Sequence, residues 1–386
     1  MSSSEHQYVY IDSEDALRVL IERVEATRRV ALDTEADSLH NYYEKVCLIQ
    51  LAVAGENYIV DPLAGLDLSR FFKALEKKQI ILHGADYDLR MLRSSFHFQP
   101  EGRIFDTMLA AQLLGHERLG LAALVKHFFD VTLTKHGQKF NWSLRPLPLA
   151  KLVYASDDTR YLEPLADYLL EGLRELGREE WHRETCDALV LSTRKDRAPG
   201  DPEDIWRIKG LKSFSRKELA FVRSLWHWRE KEAQKTNTPP FKIMGNALLQ
   251  EVALWIHSHP EQTVDRGPKL PRNCKGKRMD ALNKAVRVAR SLPEDQWPAL
   301  KRKKGRQYVP FSTREIAQLD ALRSACSRIA AKLGITASVL APRSSLEAIV
   351  REKPGTMEEI MRSGRITRWQ AGLLAPDIER VLKCLK

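Results

Sequence analysis

Two acidic residues follow a short apolar run near the N-terminus of the chain. Asp33 and Glu35 come directly after residues 30–32, the pattern of a buried strand that delivers carboxylates to the edge of a sheet. Because they are two residues apart, their side chains would lie on the same face of that strand. Like charges held so close repel each other unless a cation lies between them, and a divalent metal ion is the usual cation. The alternative is a strand that ends in a solvated acidic turn.

Further acidic residues occur where a strand-to-helix turn and a later helix are predicted. Asp88 lies in the first turn of a helix that follows the strand pattern of residues 79–83, and Asp158 lies within a helix pattern of residues 149–173. Tyr154 precedes Asp158 by four residues and therefore shares its helix face. Each feature also has an ordinary structural explanation, since Asp is favoured in first helical turns and Tyr–Asp pairs at this spacing are common by chance.

Taken together, the four carboxylates match the needs of a phosphodiesterase that uses two metal ions. Two Mg²⁺ or Mn²⁺ ions about 4 Å apart would bind the attacking water and the leaving oxygen of a phosphate. Such hard cations prefer oxygen ligands, so carboxylates suit them better than His or Cys. A phenol beside the water, here Tyr154, would position it and take part in its deprotonation.

The predicted elements that must position these residues change from strands to helices along the chain. Strand and helix patterns alternate up to about residue 190, and only helix patterns follow. The close spacing of the strand patterns at residues 29–32, 46–53 and 57–61 predicts an antiparallel meander. The helix over residues 149–173 should be broken or bent near Pro164.

Length and composition limit the class of protein. The 386 residues are enough for two or three domains, and a hydrophobic content of 43% allows a sizeable core. The five cysteines are widely spaced without a Cys-x-x-Cys pair, which argues against a disulfide framework or a zinc site and for a reducing compartment. Because there is no signal-peptide pattern and no apolar run approaches a membrane span, we expect a soluble cytoplasmic protein.

The net charge of +11 is unevenly distributed along the chain. Residues 1–200 hold 25 Lys and Arg against 31 Asp and Glu, whereas residues 201–386 hold 37 against 20. A basic part tethered to an acidic part suggests that one part holds a polyanion and the other processes it. This asymmetry favours nucleic acid as the partner over a generally basic protein without that role.

Two linker patterns, at residues 194–202 and 298–310, divide the chain. We therefore predict an α/β domain over residues 1–195 and helical domains over residues 203–295 and 312–386. The two helical stretches share a layout of a long helix, a Pro-marked turn, short helices and a closing helix, which suggests a diverged repeat.

Three segments resemble the exonuclease motifs of the DEDDy 3′→5′ exonucleases, in particular those of the ribonuclease D family. They are Asp33-Thr34-Glu35, His83-Gly84-Ala85-Asp86-Tyr87-Asp88 followed by Leu92, and Tyr154-x-x-x-Asp158. The steps Phe105-Asp106-Thr107 and Trp142-x-x-Arg145-Pro146-Leu147 are similar to that family too. The basic helical stretches resemble its C-terminal HRDC (helicase and RNase D C-terminal) domains. The resemblance spans nearly the whole chain and implies an RNase H-like α/β domain with a mixed sheet, followed by two all-α HRDC-like domains.

The resemblance also implies roles for the motif residues. Asp33, Glu35 and Asp158 would hold the first metal ion; Asp33 would bridge to the second, with Asp88 in its shell through water, and Tyr154 would orient the nucleophilic water. The register of the motifs leaves out four acidic neighbours as ligands. These are Asp37, Asp86, Asp106 and Asp157.

Several other residues are candidates for RNA contacts. His83 could touch substrate, although local packing explains a strand-end His equally well. Tyr42 and its neighbour Tyr43 could stack on terminal bases. Basic residues in two regions could meet phosphates without reading bases, with a solvated basic surface as the alternative. They are Lys135, Lys139 and Arg145 before the third motif, and Arg278, Arg287, Arg290 and residues 301–306 in the basic half.

We therefore expect a metal-dependent 3′→5′ exoribonuclease that releases 5′-mononucleotides, acts as a monomer and needs two Mg²⁺ or Mn²⁺ ions. By resemblance, its substrates would be the 3′ ends of tRNA precursors and other small structured RNAs. Two alternatives stay open: a DNA exonuclease with the same catalytic residues, since the metals act on phosphate and do not read the 2′-OH, and a non-catalytic nucleic-acid-binding protein on the same fold.

Overall fold

The computed structural model describes residues 8–133, 139–194, 201, 204–300 and 310–384. These residues form two compact units. The unit that we call the sheet unit takes the chain up to residue 36, then residues 46–195 and residues 310–386. The unit that we call the helical unit takes residues 37–45 and 196–309.

A six-stranded mixed sheet is the centre of the sheet unit. Its strands are β1 (Tyr8–Ile11), β2 (Arg29–Ala36), β3 (Val46–Val53), β4 (Glu56–Val60), β5 (Gln79–Leu82) and β6 (Ile104–Asp106), in the spatial order β1-β4-β3-β2-β5-β6. The predicted meander is present, because β2, β3 and β4 pair antiparallel. The other three pairings are parallel. β3 is buried along its whole length, as expected of a central strand that is covered on both faces.

Helices cover the sheet of this unit on both faces. They are α1 (Glu14–Ala26), α2 (Ser69–Leu75), α3 (Asp86–Phe96), α4 (Thr107–Leu114), α5 (Leu121–Phe129), α6 (Leu149–Arg160), α7 (Leu162–Glu175) and α8 (Glu179–Thr193). The predicted break near Pro164 falls at Tyr161, between α6 and α7. Pro164 lies in the first turn of α7, where its missing N–H costs no hydrogen bond.

Strand alternation gives β2 two different faces. Val30 and Leu32 pack in the core that contains residues of α1, α2 and α3, whereas Ala31 packs in the core that contains residues of α4 and α7. Because side chains alternate along a strand, Asp33 continues the face of Ala31 and Thr34 continues the face of Leu32. The end of β2 therefore presents an acidic side chain to one layer of helices and a hydroxyl to the other.

The C-terminal helices of the sheet unit share a hydrophobic core with α4 and α7. They are α13 (Thr313–Leu333), α14 (Ala337–Leu340), α15 (Arg343–Glu352), α16 (Met357–Gly364) and α17 (Arg368–Cys384). Trp369 of α17 stacks on Trp181 of α8, with ring centroids 4.6 Å apart and an interplanar angle of 8°. These helices are thus packed on the helices that support the sheet.

The helical unit contains α9 (Arg216–Lys235), α10 (Pro240–Ile243), α11 (Asn246–Ser258) and α12 (Lys277–Ser291). α9 and α13 both begin at a Ser with a capping box, through Ser215 with Glu218 and Ser312 with Glu315. Each is followed by a four-residue helix, α10 and α14. The repeat of the two helical stretches stays a prediction. Among the helices of the described residues, none is both long enough and apolar enough to cross a membrane.

Candidate active site

Three of the predicted metal ligands lie together at the end of β2. Asp33 and Glu35 project from β2, and Asp158 projects from α6, which contacts β2 from the side of those two residues. One carboxylate oxygen of each residue lies within 4.8 Å of the others. The cluster is half-buried and offers only oxygen atoms, the donor set that Mg²⁺ and Mn²⁺ prefer. It could therefore hold a divalent cation of this kind.

Tyr154 lies beside this cluster because it shares a face of α6 with Asp158. Its hydroxyl group donates a hydrogen bond to the Asp158 carboxylate. Its ring stacks on the indole of the buried Trp142, with centroids 6.1 Å apart. The hydrogen bond and the stacking together fix the position of the phenol next to the three carboxylates.

Asp88 reaches the site from the opposite layer of helices. It lies in the first turn of α3 and is only 6% exposed. Its Oδ1 accepts hydrogen bonds from the Thr34 hydroxyl group (2.6 Å) and from the Thr34 N–H (3.1 Å). It lines the same cavity as the other three carboxylates but does not belong to their compact group.

A buried aspartate holds the turn that carries Asp88. The Asp106 carboxylate accepts hydrogen bonds from the N–H groups of Gly84 (3.0 Å) and Ala85 (2.8 Å), and it also caps α4. Gly84 has a φ of +75°, a conformation that favours glycine. The Asp106 carboxylate thus accepts hydrogen bonds from backbone N–H groups, consistent with its omission from the predicted ligands.

Burial raises the pKa values of all four site carboxylates, and repulsion by neighbouring carboxylates acts in the same direction. Burial, followed by the charges of Asp158 and Asp88, raises the pKa of Glu35 to about 9. Burial raises the pKa of Asp158 to about 7, although the Tyr154 hydrogen bond acts in the opposite direction. Burial raises the pKa of Asp88 to about 6 against the hydrogen bonds from Thr34. Burial and then repulsion by Asp88 raise the pKa of Asp33 well above its usual value.

These shifts predict how the stability of the metal-free protein depends on pH. Because the folded-state pKa of Glu35 is about 9, above its usual 4.5, the native state binds the extra proton. The stabilising contribution of protonated Glu35 to the free energy of unfolding is fully present below about pH 4.5. It is lost as the pH rises towards 9. We therefore expect the melting temperature without metal to fall between pH 6 and pH 9, and the increase caused by Mn²⁺ to be larger at the higher pH.

Thermal unfolding of Glu35→Gln would test this expectation. The variant should be more stable than the wild type at pH 8 without metal, by about 1 kcal/mol, since a buried carboxylate no longer has to ionise. Glu175→Gln, at an exposed position of α7, is the matched control and should leave the pH dependence unchanged. An unchanged pH dependence in Glu35→Gln would contradict the expectation.

The carboxylates form the floor of a cavity of about 680 Å³. Its wall is largely apolar and is built from residues 119–123 at the start of α5 and from Leu133, with Tyr87 and Arg118 also lining it.

The sequence reasoning missed Arg118 and Tyr87 as site residues. Arg118 lies outside the three motifs, and a lone cation before a helix pattern is no distinctive signal. Tyr87 lies within the second motif, but an acidic pattern does not draw attention to a neighbouring aromatic residue.

The structure gives the candidate RNA-contacting residues different surroundings. His83 lines the cavity, with Nδ1 2.9 Å from the Thr107 hydroxyl group and a ring hydrogen bond to the carbonyl of Leu119. Burial lowers its pKa. Its ring therefore joins the end of β5 to the cavity wall. Lys135 and residues 301–306 lie outside the described residues.

Arg145 has an internal role that replaces the predicted phosphate contact. Its Nε and Nη2 bind the buried Asp61 carboxylate at 2.6 and 2.5 Å. The remaining N–H groups donate to the carbonyl oxygens of Trp142, Leu144 and Cys47. Because all five N–H groups are used within the protein, the prediction that Arg145 meets RNA is not retained.

In the helical unit, Tyr42 packs against the core, and Tyr42 and Tyr43 donate their N–H groups to Asn237 Oδ1 at 3.0 and 3.1 Å. Arg278 is largely covered and pairs with Glu232 (3.0 Å), whereas Arg287 is exposed on α12.

The remaining acidic neighbours also have other partners. Within the helical unit, Asp37 accepts from the Lys45 N–H (3.0 Å) and the Asn41 side chain (2.7 Å), which closes the loop after β2. Asp86 pairs with Arg90 at 2.9 Å, and Asp157 is buried beside Arg160 on the other side of α6.

Comparison with known proteins identifies the family. The 3′-5′ exonuclease family matches residues 8–174, and the HRDC domain family matches residues 218–254. A ribonuclease D of Gluconacetobacter diazotrophicus is 31% identical over 82% of this chain and 80% of its own length. The chain belongs to the ribonuclease D family. A ribonuclease D of Jannaschia sp. is 28% identical and is matched over 96% of this chain and 94% of its own length.

Solved structures agree on the ribonuclease D fold. A protein from Bifidobacterium adolescentis superposes with a TM-score of 0.82 at 24% identity, covering 98% of this chain and 97% of that one. RNase D of Escherichia coli gives a TM-score of 0.67 at 24% identity, covering 98% and 99%. The predicted fold, a mixed-sheet exonuclease domain followed by a helical HRDC domain, is confirmed. The second HRDC-like domain stays a prediction. The predicted enzyme class is confirmed too: this member of the ribonuclease D family is a hydrolase with 3′→5′ exoribonuclease activity.

Proposed function

We propose that this enzyme hydrolyses RNA from its 3′ end with two Mg²⁺ or Mn²⁺ ions, releasing 5′-mononucleotides. The observation that carries this proposal is the cluster of Asp33, Glu35 and Asp158, whose ligand oxygens lie within 4.8 Å of one another. The raised pKa values of the site carboxylates show that this arrangement is unfavourable for bare negative charges. A divalent cation fits such a set of donors.

The residues present suit two ions of unequal surroundings. Asp33, Glu35 and Asp158 would hold one ion. The second ion would share Asp33 as a ligand, and Asp88 would contact that ion through a water molecule. When bound, such ions act as Lewis acids that stabilise charge on the attacking and leaving oxygens of a phosphate. The chain itself contributes the rigid placement of the four carboxylates, three on one layer of the sheet unit and Asp88 on the other.

Tyr154 would orient the attacking water. Burial, with the nearby charge of Asp158, raises the pKa of the Tyr154 phenol, so the hydroxyl group keeps its proton at neutral pH. A protonated phenol beside the carboxylates can hold a water molecule in place through its oxygen but is a poor proton acceptor. This favours a role in orientation over one as a general base.

Tyr154→Phe is therefore expected to lower kcat about 100-fold or more with little change in KM for RNA, since the positioned water is needed in the reaction step. Single-turnover and steady-state assays with a 5′-labelled oligoribonucleotide would measure both constants. Tyr168→Phe, which changes an exposed tyrosine on α7, is the matched control and should behave like wild type. Wild-type kcat in Tyr154→Phe would contradict the proposed role.

The apolar wall of the cavity suits a terminal nucleoside that is held without being identified. The described lining offers Leu119, Leu121 and Leu133 for the base, and Arg118 as a cation for a phosphate. Contacts of this kind tolerate any base. The exposed Arg287 and the basic composition of the second half of the chain would add phosphate contacts, and we include the 3′ ends of tRNA precursors and other small structured RNAs as substrates.

The decisive assay offers the enzyme a 5′-labelled tRNA precursor with a 3′ extension in competition with a single-stranded DNA of equal length. With Mg²⁺ or Mn²⁺, stepwise shortening of the RNA and release of 5′-mononucleotides are expected, while the DNA persists. Preferential degradation of the DNA would favour the DNA exonuclease alternative, and no degradation of either with Mn²⁺ would favour a non-catalytic binding protein.

We also propose that the enzyme is a monomer and is located in the cytoplasm. The four cysteines whose side chains the structure describes are buried and form no disulfide bond, which suits a reducing compartment; they are Cys47, Cys186, Cys274 and Cys326. Sedimentation velocity would test the oligomeric state.

A further inference from the structure

The central residue of the first motif has a position that differs from its two acidic neighbours. Thr34 lies between Asp33 and Glu35 on β2, so its side chain points to the other face of the strand, towards α3. It is 6% exposed, and its hydroxyl group is used by the carboxylate of Asp88. A hydroxyl at this point of a strand thus joins the first motif to the second.

Thr34 binds Asp88 at one defined oxygen. Both the hydroxyl group (2.6 Å) and the backbone N–H (3.1 Å) of Thr34 donate to Oδ1 of Asp88. Two donors on one oxygen fix the rotation of the carboxylate about its last bond. They leave Oδ2 as the oxygen that can accept a hydrogen bond from a group in the cavity. Asp88 is thereby suited to accept a hydrogen bond from one metal-bound water, and it is not suited to bind an ion through both oxygens.

We propose that Thr34 is a positioning residue for the second metal ion: its hydroxyl group fixes the Asp88 carboxylate so that Oδ2 faces the ion's water shell, and this sets the affinity of the second site. The inference rests on the proposed two-ion function. The affinity of the first site, formed by Asp33, Glu35 and Asp158, should not depend on the Thr34 hydroxyl group. Groups that orient the partners of a bound metal commonly change its affinity by about 10- to 100-fold.

The test replaces the hydroxyl group while keeping the shape of the side chain. Thr34→Val removes the donor, Thr34→Ser keeps it, and Thr193→Val is the matched control, because the hydroxyl group of this buried threonine donates to the carbonyl of Val190 within α8. Calorimetric titration of each protein with Mn²⁺, in the presence of saturating adenosine 5′-monophosphate, would measure the affinity of both sites. The Mn²⁺ dependence of kcat would provide a second readout.

Thr34→Val is expected to bind the first ion as wild type does and the second about 10- to 100-fold more weakly, with kcat restored by high Mn²⁺. Thr34→Ser and Thr193→Val should stay within about 3-fold of wild type for both ions. Wild-type affinity for both ions in Thr34→Val overturns the inference, and so does an equal loss in Thr34→Ser. If Thr34→Val fails to fold, Thr34→Ala replaces it. The same loss of affinity for the second ion is then expected, and wild-type affinity for both ions would overturn the inference.

Failure of the inference differs from failure of the proposed function. If wild type binds two ions and Asp88→Asn loses the second while Thr34→Val keeps it, only the role of Thr34 is wrong. If wild type does not bind two ions at all, the proposed function is wrong, and the inference with it.

Discussion

Asp33→Asn is expected to reduce the exonuclease rate at least about 1,000-fold, the largest effect of any single substitution in the chain. Asp33 is the residue that the proposal places in contact with both ions, and its carboxylate lies among three others. The amide keeps the shape of the side chain but removes the charge that binds the cations. Stepwise shortening of 5′-labelled RNA under saturating Mn²⁺ would measure the loss.

The matched control for this substitution is Asp86→Asn. Asp86 is an exposed acidic residue of the second motif that pairs with Arg90 on α3. It should retain wild-type activity. RNA binding, measured by filter retention with a chelator present, should persist in both variants. Wild-type activity in a folded Asp33→Asn protein would show that the site is assigned wrongly.

Removal of residues 310–386 is expected to destabilise the rest of the sheet unit by more than about 5 kcal/mol, because it opens a shared core. Leu169 and Leu173 of α7 pack in the same cluster as Leu322 of α13 and Leu374 of α17. Arg178, before α8, donates to the carbonyl of Leu333 at 2.6 Å. The truncated chain should aggregate or unfold without a cooperative transition, as circular dichroism and light scattering would show.

Point substitutions separate this packing effect from the loss of chain length. Trp369→Ala removes the ring that stacks on Trp181 and should cost about 3–5 kcal/mol. Ile316→Ala, at an exposed position of α13, is the control and should stay within about 0.5 kcal/mol of wild type. A truncated protein that melts cooperatively at the wild-type temperature and degrades RNA at the wild-type rate would contradict the prediction.

Much of the site could be read from the sequence because local rules determine it. Alternation along a strand places Asp33 and Glu35 on one face, and helix periodicity places Tyr154 next to Asp158. The structure keeps both relations. The strand patterns also predicted the meander of β2, β3 and β4, since they follow one another closely along the chain.

What the sequence could not provide depends on distant partners. Arg145 carries the same charge whether it meets a phosphate or Asp61, and only the fold brings Asp61 within 2.5 Å. The separation of Asp88 from the other carboxylates follows from the layer in which α3 lies, which no local pattern contains. Thr34 gave no signal of its own, because a threonine within a strand is ordinary.

The packing of the C-terminal helices was equally hidden. An amphipathic pattern shows that a helix such as α17 buries one face but does not say which element covers it. The sequence predicted independent domains from linker composition. The structure groups residues 310–386 with the sheet by contacts, while the limits of the three predicted domains remain a prediction.

The most direct test of the central claim, that these carboxylates hold two catalytic ions, is anomalous X-ray scattering from crystals grown with Mn²⁺ and adenosine 5′-monophosphate. The account predicts two Mn²⁺ peaks. One would be bound by Asp33, Glu35 and Asp158, and the other would share Asp33 and lie near Asp88 with water between them. No peak at these residues, or ions bound without Asp33, would contradict it.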